Sequence, residues 1–134
     1  MITVLLADDH AMVRDGLRYI LEAAGDIQIV ALASNGKEAV TQALIYCPNI
    51  AVIDISMPVM DGIEATRQIA EACPQTRTVT LSMYHTGEHV QRAINAGAFG
   101  YVLKDAAGHE LIEAVRSLYA GKRYFSPQVA KFNP

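Results

Sequence analysis

Five short apolar runs, spaced by amphipathic stretches, constrain this chain more than any other feature. They are "ITVLLA" (2–7), "IQIVALA" (27–33), "NIAVIDI" (49–55), "TRTVTLS" (76–82) and "FGYVLK" (99–104). Short, nearly continuous runs such as the first are what a strand buried on both faces requires. The segments between them carry helical periodicity. Val13, Leu17, Ile20, Leu21 and Ala24 share one stripe before Gly25, a plausible C-terminal stop. Asn35 can cap a helix holding Ala39, Val40, Ala43 and Leu44. Gly62 leads into a helix with Ile63, Thr66, Ile69 and Ala70 that ends before Pro74. A weaker helix spans roughly 86 to 96, and a last one runs from about 108 to Ala120, stopped by Gly121.

Strands alternating with helices predict a parallel sheet with right-handed crossovers and helices on both faces. With 134 residues, 51% of them hydrophobic, the chain has the length of one domain and the material for its core. A net charge of −3 argues against a nucleic-acid-binding surface on this stretch. No run of about eighteen apolar residues occurs, so no membrane span is expected. Asp8 and Asp9 interrupt the only early apolar run, which argues against a signal peptide and for a cytoplasmic location. Cys47 and Cys73 lack metal-ligand spacing and are expected to be buried or half-buried free thiols.

In open parallel sheets the ligand site lies beyond the carboxyl ends of the strands. Asp8 and Asp9 end the first strand, Asp54 the third, Ser82 the fourth and Lys104 the fifth. Three carboxylates at one edge repel one another unless something positive sits between them. Oxygen ligands without cysteine or histidine favour magnesium. Lys104 adds a mobile point charge suited to a phosphoryl oxygen, and the Ser82 hydroxyl can hydrogen-bond another. A carboxylate nucleophile, a divalent cation, a lysine and a hydroxyl are the parts for phosphoryl transfer onto aspartate.

"LLADDH", "VIDISMPVMDG", "TLSM" and "GYVLKD", in that order and at strand ends, resemble the motifs of response-regulator receiver domains in two-component signalling. "LSMY", "AGAFGYVLKD" and "GKRYFSP" look most like the NarL/FixJ (LuxR-type) subfamily. The resemblance implies a flavodoxin-like doubly wound sheet of five strands in the order 2-1-3-4-5, with five helices on two faces. It implies that Asp54 accepts a phosphoryl group from a sensor histidine kinase, and that the domain catalyses only its own phosphorylation and dephosphorylation. Asp9, Asp54 and the backbone carbonyl of Ser56 would hold Mg²⁺, or Mn²⁺ in its place, with Asp8 acting through water. Lys104 and Ser82 would bind the phosphoryl group, and Ser82 with Tyr101 would form a switch pair. Asp105 departs from the family, where proline often follows the lysine across a cis peptide. A cis bond before a non-proline residue costs roughly 2.5–4 kcal/mol.

Residues 1–121 are expected to form the receiver and 122–134 the start of a linker. "SPQVAKF" places Ser126 as an N-cap and Pro127 at the first helical position, so the natural chain is expected to continue into a helix-turn-helix output domain. DNA would be met only through that domain, and phosphorylation could drive homodimerisation. The expected output is a change at the face made by the fourth helix, fifth strand and fifth helix. Bland alternatives exist for single residues. Asp8 and Asp9 could cap the first helix, and Tyr101 could be core, although its alternation with Val102 predicts that it points outward. His85 and His89, four apart, are expected to be exposed, and His10 to neighbour the site. The competing functions are a stand-alone receiver acting by protein contact, a haloacid-dehalogenase-type phosphatase and an FMN binder. The phosphatase expects a second aspartate where Ser56 stands, and two aspartates after the first strand would repel a flavin phosphate.

Overall fold

The computed structural model describes residues 1–134. Its elements run β1 (Ile2–Ala7), α1 (Ala11–Ala23), β2 (Ile27–Ala33), α2 (Gly36–Tyr46), β3 (Ile50–Asp54), α3 (Gly62–Ala72) and β4 (Arg77–Ser82). Then follow α4 (Gly87–Asn95), β5 (Gly100–Leu103), α5 (Ala107–Tyr119) and a two-residue β6 (Tyr124–Phe125), with 3-10 turns over Lys104–Ala106 and Pro127–Phe132. All strand pairings are parallel, in the order β2-β1-β3-β4-β5-β6. The five expected strands and their order are present, and β6 adds a sixth at the β5 edge.

Alternation along the strands builds two cores. Val4, Leu6, Val52, Val79, Leu81 and Val102 face α1 and α5, meeting Leu17, Leu21, Leu111 and Leu118. Leu5, Ala51 and Ile53 face the other way, against Ala39 and Ala43 of α2 and Ala65 and Ile69 of α3. Each large side chain buried this way contributes about 1.5–3 kcal/mol. A smaller third cluster joins Val90 and Ala93 of α4 to Tyr101, Leu103 and Val129.

Asn35, Asp61 and Thr86 cap α2, α3 and α4 through their side chains. Ser126 makes no such cap, and its hydroxyl is used elsewhere. Leu44 and Cys47, expected on buried faces, are exposed, because α2 turns its last residues outward and Cys47 closes the helix in a left-handed conformation (φ 43°). Cys73 is buried, as expected, its thiol donating to the Ala43 carbonyl at 3.6 Å. Every peptide bond is trans, that between Lys104 and Asp105 included. No helix is long and apolar enough to cross a membrane.

Candidate functional site

Sheet register assembles the site. Ala7 of β1 pairs with Ile53 of β3, so Asp8 and Asp54 emerge side by side where those strands end. Ser82 pairs with Leu103, so Lys104 emerges one step beyond Ser82. Chain segments far apart in sequence thus deliver their functional side chains to one edge through ladder hydrogen bonds alone.

Asp8 and Asp54 are almost completely buried, at 0% and 2% exposure, while Asp9 is partly open to solvent. Lys104 reaches between the buried pair, its Nζ 2.9 Å from Asp8 Oδ2 and 3.0 Å from Asp54 Oδ2. Asp8 Oδ2 has no aligned hydrogen-bond donor, so this first contact is an ion pair only. The other oxygen of Asp54 accepts the Ser56 N–H at 3.3 Å, which turns the chain sharply out of β3. Asp8 Oδ1 accepts the His10 N–H at 2.8 Å, and His10 Nδ1 lies 3.1 Å from Asp9 Oδ1.

Charge is unbalanced here. By formal charge, three carboxylates against one ammonium leave −2 (−3 + 1) within one cluster. Burial pushes the Asp54 carboxyl above its ordinary range; Lys104 opposes that rise and the charge of Asp8 adds to it. Burial works to lower the Lys104 ammonium, but the two carboxylates outweigh it and hold the group above its ordinary value. Ligand atoms of Asp8, Asp9, His10 and Asp54 all lie within 4.8 Å of one another. With carboxylate oxygens and an unsatisfied Asp8 Oδ2, this donor set suits a small hard cation.

Ser82 is buried below the acidic cluster, its Oγ accepting the Tyr84 N–H at 2.9 Å. Tyr101 donates its hydroxyl to the Tyr84 carbonyl at 2.8 Å. Tyr101 does not point outward: it is fully buried, because its face of β5 packs under α4 rather than toward solvent. That burial raises the Tyr101 phenol pKa, with Ser82 opposing. Tyr84 was not singled out as functional, yet its peptide groups join Ser82 to Tyr101, and its ring stacks on His89 at 4.0 Å. The only signal was its position in "LSMY", two residues past the strand-end hydroxyl. His85 is exposed as expected, whereas His89 is half-buried in that stack and bonds Thr86.

The loop after Asp54 is held tightly. Gly36 donates its N–H to the Met60 carbonyl at 3.0 Å, and a Cβ there would lie 2.1 Å from that oxygen. Val59, at φ 71°, takes a left-handed conformation that β-branched residues seldom adopt. A groove of about 430 Å³ opens beside this loop, lined among others by Asp9, Asp61, His89 and Arg92.

A doubly wound sheet whose strand ends gather three acids, a lysine and a hydroxyl is the architecture of the receiver class. The profile of the response regulator receiver domain matches residues 4–116, and the chain belongs to that family. It is 39% identical over 131 residues to the response regulator UvrY of Escherichia coli, covering 98% of this chain and 60% of the relative. The response regulator GacA of Pseudomonas protegens is 36% identical over 131 residues, covering 98% and 62%. A two-component response regulator of the LuxR family from Aurantimonas superposes with a TM-score of 0.92 at 35% identity, covering 96% of this chain and 92% of that one. The chain is therefore a receiver domain of the NarL/LuxR type, and it spans about three fifths of the length of the relatives UvrY and GacA.

Proposed function

We propose that this domain is a phosphorylation-controlled switch in which Asp54 accepts a phosphoryl group from a sensor histidine kinase or a small acyl phosphate. The observation that carries this reading is Lys104 held within 3.0 Å of both Asp8 and Asp54 at the mouth of the sheet. A carboxylate oxygen of Asp54 attacks phosphorus, the bond from phosphorus to the donor's oxygen or nitrogen breaks, and the leaving group keeps that electron pair. No general base is required, because the nucleophile is already ionised. Asp9, Asp54 and the Ser56 carbonyl would hold Mg²⁺ (or Mn²⁺), with Asp8 acting through water. The cation would supply charge neutralisation for the incoming phosphoryl oxygens. Lys104 then exchanges a carboxylate partner for a phosphoryl oxygen, and the Ser82 hydroxyl donates to another.

The acyl phosphate carries roughly 1.5–2 negative charges where the carboxylate carried one, and it brings strong acceptors. On this reading it draws Ser82 toward Asp54 and favours Tyr101 in the buried seat. The resulting change at the face of α4, β5 and α5 governs output. The subfamily and the additional length of the relatives support a DNA-binding output through a C-terminal helix-turn-helix domain. Ser56 stands where a haloacid-dehalogenase-type phosphatase needs a second catalytic aspartate, which argues against steady turnover. Acetyl phosphate with Mg²⁺ should add one phosphoryl mass to the protein, and Asp54→Asn should abolish the adduct. An adduct that persisted in that variant would overturn the assignment.

A further inference from the structure

Residues 124–132 pack across the switch face instead of leaving the domain. Tyr124 and Phe125 pair with Gly100 and Tyr101 as the edge strand β6. The Ser126 N–H donates to the Tyr101 carbonyl at 2.9 Å, and its Oγ accepts the Leu103 N–H at 2.9 Å. That hydroxyl donates in turn to Glu110 of α5 at 2.5 Å. Ser126 and Val129 are both 0% exposed, and Val129 sits in one cluster with Tyr101, Leu103, Val90 and Ala93. Phe132 ends the segment against α4, where its ring occupies the space a side chain at Gly87 would need. A Cβ there would lie 2.8 and 2.9 Å from two ring carbons. Gly87 needs no left-handed backbone, so room for Phe132 is the demand at that position.

We propose that residues 124–132 are a strap whose docking on α4 and β5 is coupled to the phosphorylation state of Asp54. The strap grips β5 at Tyr101 and Leu103, one residue short of Lys104. Val129 and Tyr101 share one buried cluster, so withdrawal of the Tyr101 ring would open space beside Val129. Strap docking and Tyr101 burial therefore stabilise each other. The inference rests on the proposed function, in which the phosphoryl group favours that same buried tyrosine. Phosphorylation thus tightens the strap and, because linkage is reciprocal, the docked strap strengthens phosphoryl binding by the same factor.

Hydrogen exchange by NMR on the full chain tests this, with Mg²⁺ and beryllium trifluoride as the phosphoryl mimic. The amides of Leu103, Ser126 and Val129 are expected to exchange at least fivefold more slowly once the mimic is bound. Occupancy is read separately from the Ser56 amide. Unchanged strap exchange with Ser56 protected would overturn the coupling and leave the phosphoacceptor assignment standing. No protection at Ser56 would overturn that assignment, and the coupling with it. Phe132→Ala and Gly87→Ala should each weaken binding of the mimic about threefold or more and speed exchange at Val129 in its absence. Alanine is the better helix former, so Gly87→Ala tests the seat for Phe132 without weakening α4 itself. Wild-type affinity in both variants would refute the reciprocal arm and the proposal.

Discussion

Gly62→Ala tests how rigidly β3, which ends at Asp54, is tied to the helix after it. A Cβ at Gly62 would lie 2.1 Å from the Asp54 carbonyl oxygen and 2.8 Å from Ile55 Cα, and both obstacles are backbone. Cβ contacts essentially never fall below 3.0 Å, so α3 and the end of β3 must separate by about 0.9 Å. That separation strains the hydrogen bond from the Gly62 N–H to the Ile55 carbonyl, 3.0 Å long, which contributes about 1 kcal/mol net. Overpacking of a closed contact costs about 1–3 kcal/mol more. Alanine's better helix propensity returns at most about 1 kcal/mol. The expected net loss is about 1–3 kcal/mol in urea unfolding.

The functional effect should be larger than the stability effect, because Asp54 itself must move. Misplacing a reacting group by about 1 Å costs up to about 10²-fold in rate. Labelling by acetyl phosphate, followed by intact mass, should therefore slow by one to two orders of magnitude in protein that remains folded. A variant within about 0.5 kcal/mol and twofold of the wild type would refute the argument. It would mean that the contact between Gly62 and Asp54 is looser than the geometry requires.

Two further outcomes follow from other residues. Val59 is 78% exposed and left-handed, so Val59→Gly loses little packing and relieves strain of about 1–3 kcal/mol, against about 0.4–1 kcal/mol of added unfolded-state entropy. The urea midpoint should rise, by about 1 kcal/mol in stability, and a fall would contradict the strain. Arg67 beside Glu64 on α3 holds that carboxyl down to about 2 from an ordinary value of 4.5. A depressed acid contributes stability that is present above about 4.5 and lost as pH falls toward about 2. This exposed pair contributes little to overall stability, so the check is an NMR titration. The Glu64 midpoint should return toward 4.5 in Arg67→Gln, and an unmoved midpoint would refute the cause.

The strands and the residues that meet at their ends were legible because both depend on local pattern plus one topological rule. Apolar runs define parallel strands, and parallel strands present their carboxyl ends together, so Asp8, Asp9, Asp54, Ser82 and Lys104 had to converge. The orientation of Tyr101 is not legible from its alternation with Val102, because alternation separates core from solvent only where one face of a sheet is open. In a sheet covered on both faces, alternation only chooses which core a side chain enters. The packing of residues 124–132 was not legible either. Ser126-Pro127 looks locally like a helix start, whereas the actual partners of Ser126 are Leu103 and Glu110, more than fifteen residues away in sequence. The contact of Gly62 with Asp54 was equally hidden, since a glycine before a helical stretch suggests a terminus and says nothing of a carbonyl behind it.

On the proposed switch, these positions together would let one acidic cluster influence a distant surface. Burying Asp8 and Asp54 with a single lysine leaves the edge of the sheet short of positive charge. A cluster in that condition responds strongly to any change in its charge, because burial weakens solvent screening. Two short routes lead away from it. One runs from Ser82 through both peptide groups of Tyr84 to the Tyr101 hydroxyl. The other runs from Lys104 to the adjoining Leu103, whose N–H is held by Ser126. Both routes end in the small cluster beneath α4, where Val90, Tyr101 and Val129 share one core. That core is smaller than the two that hold the sheet, so it is the part of the domain with least packing to lose in a rearrangement. On the proposed switch, charge is gathered at the buried carboxyl ends of the strands and its effect is released into the smallest core.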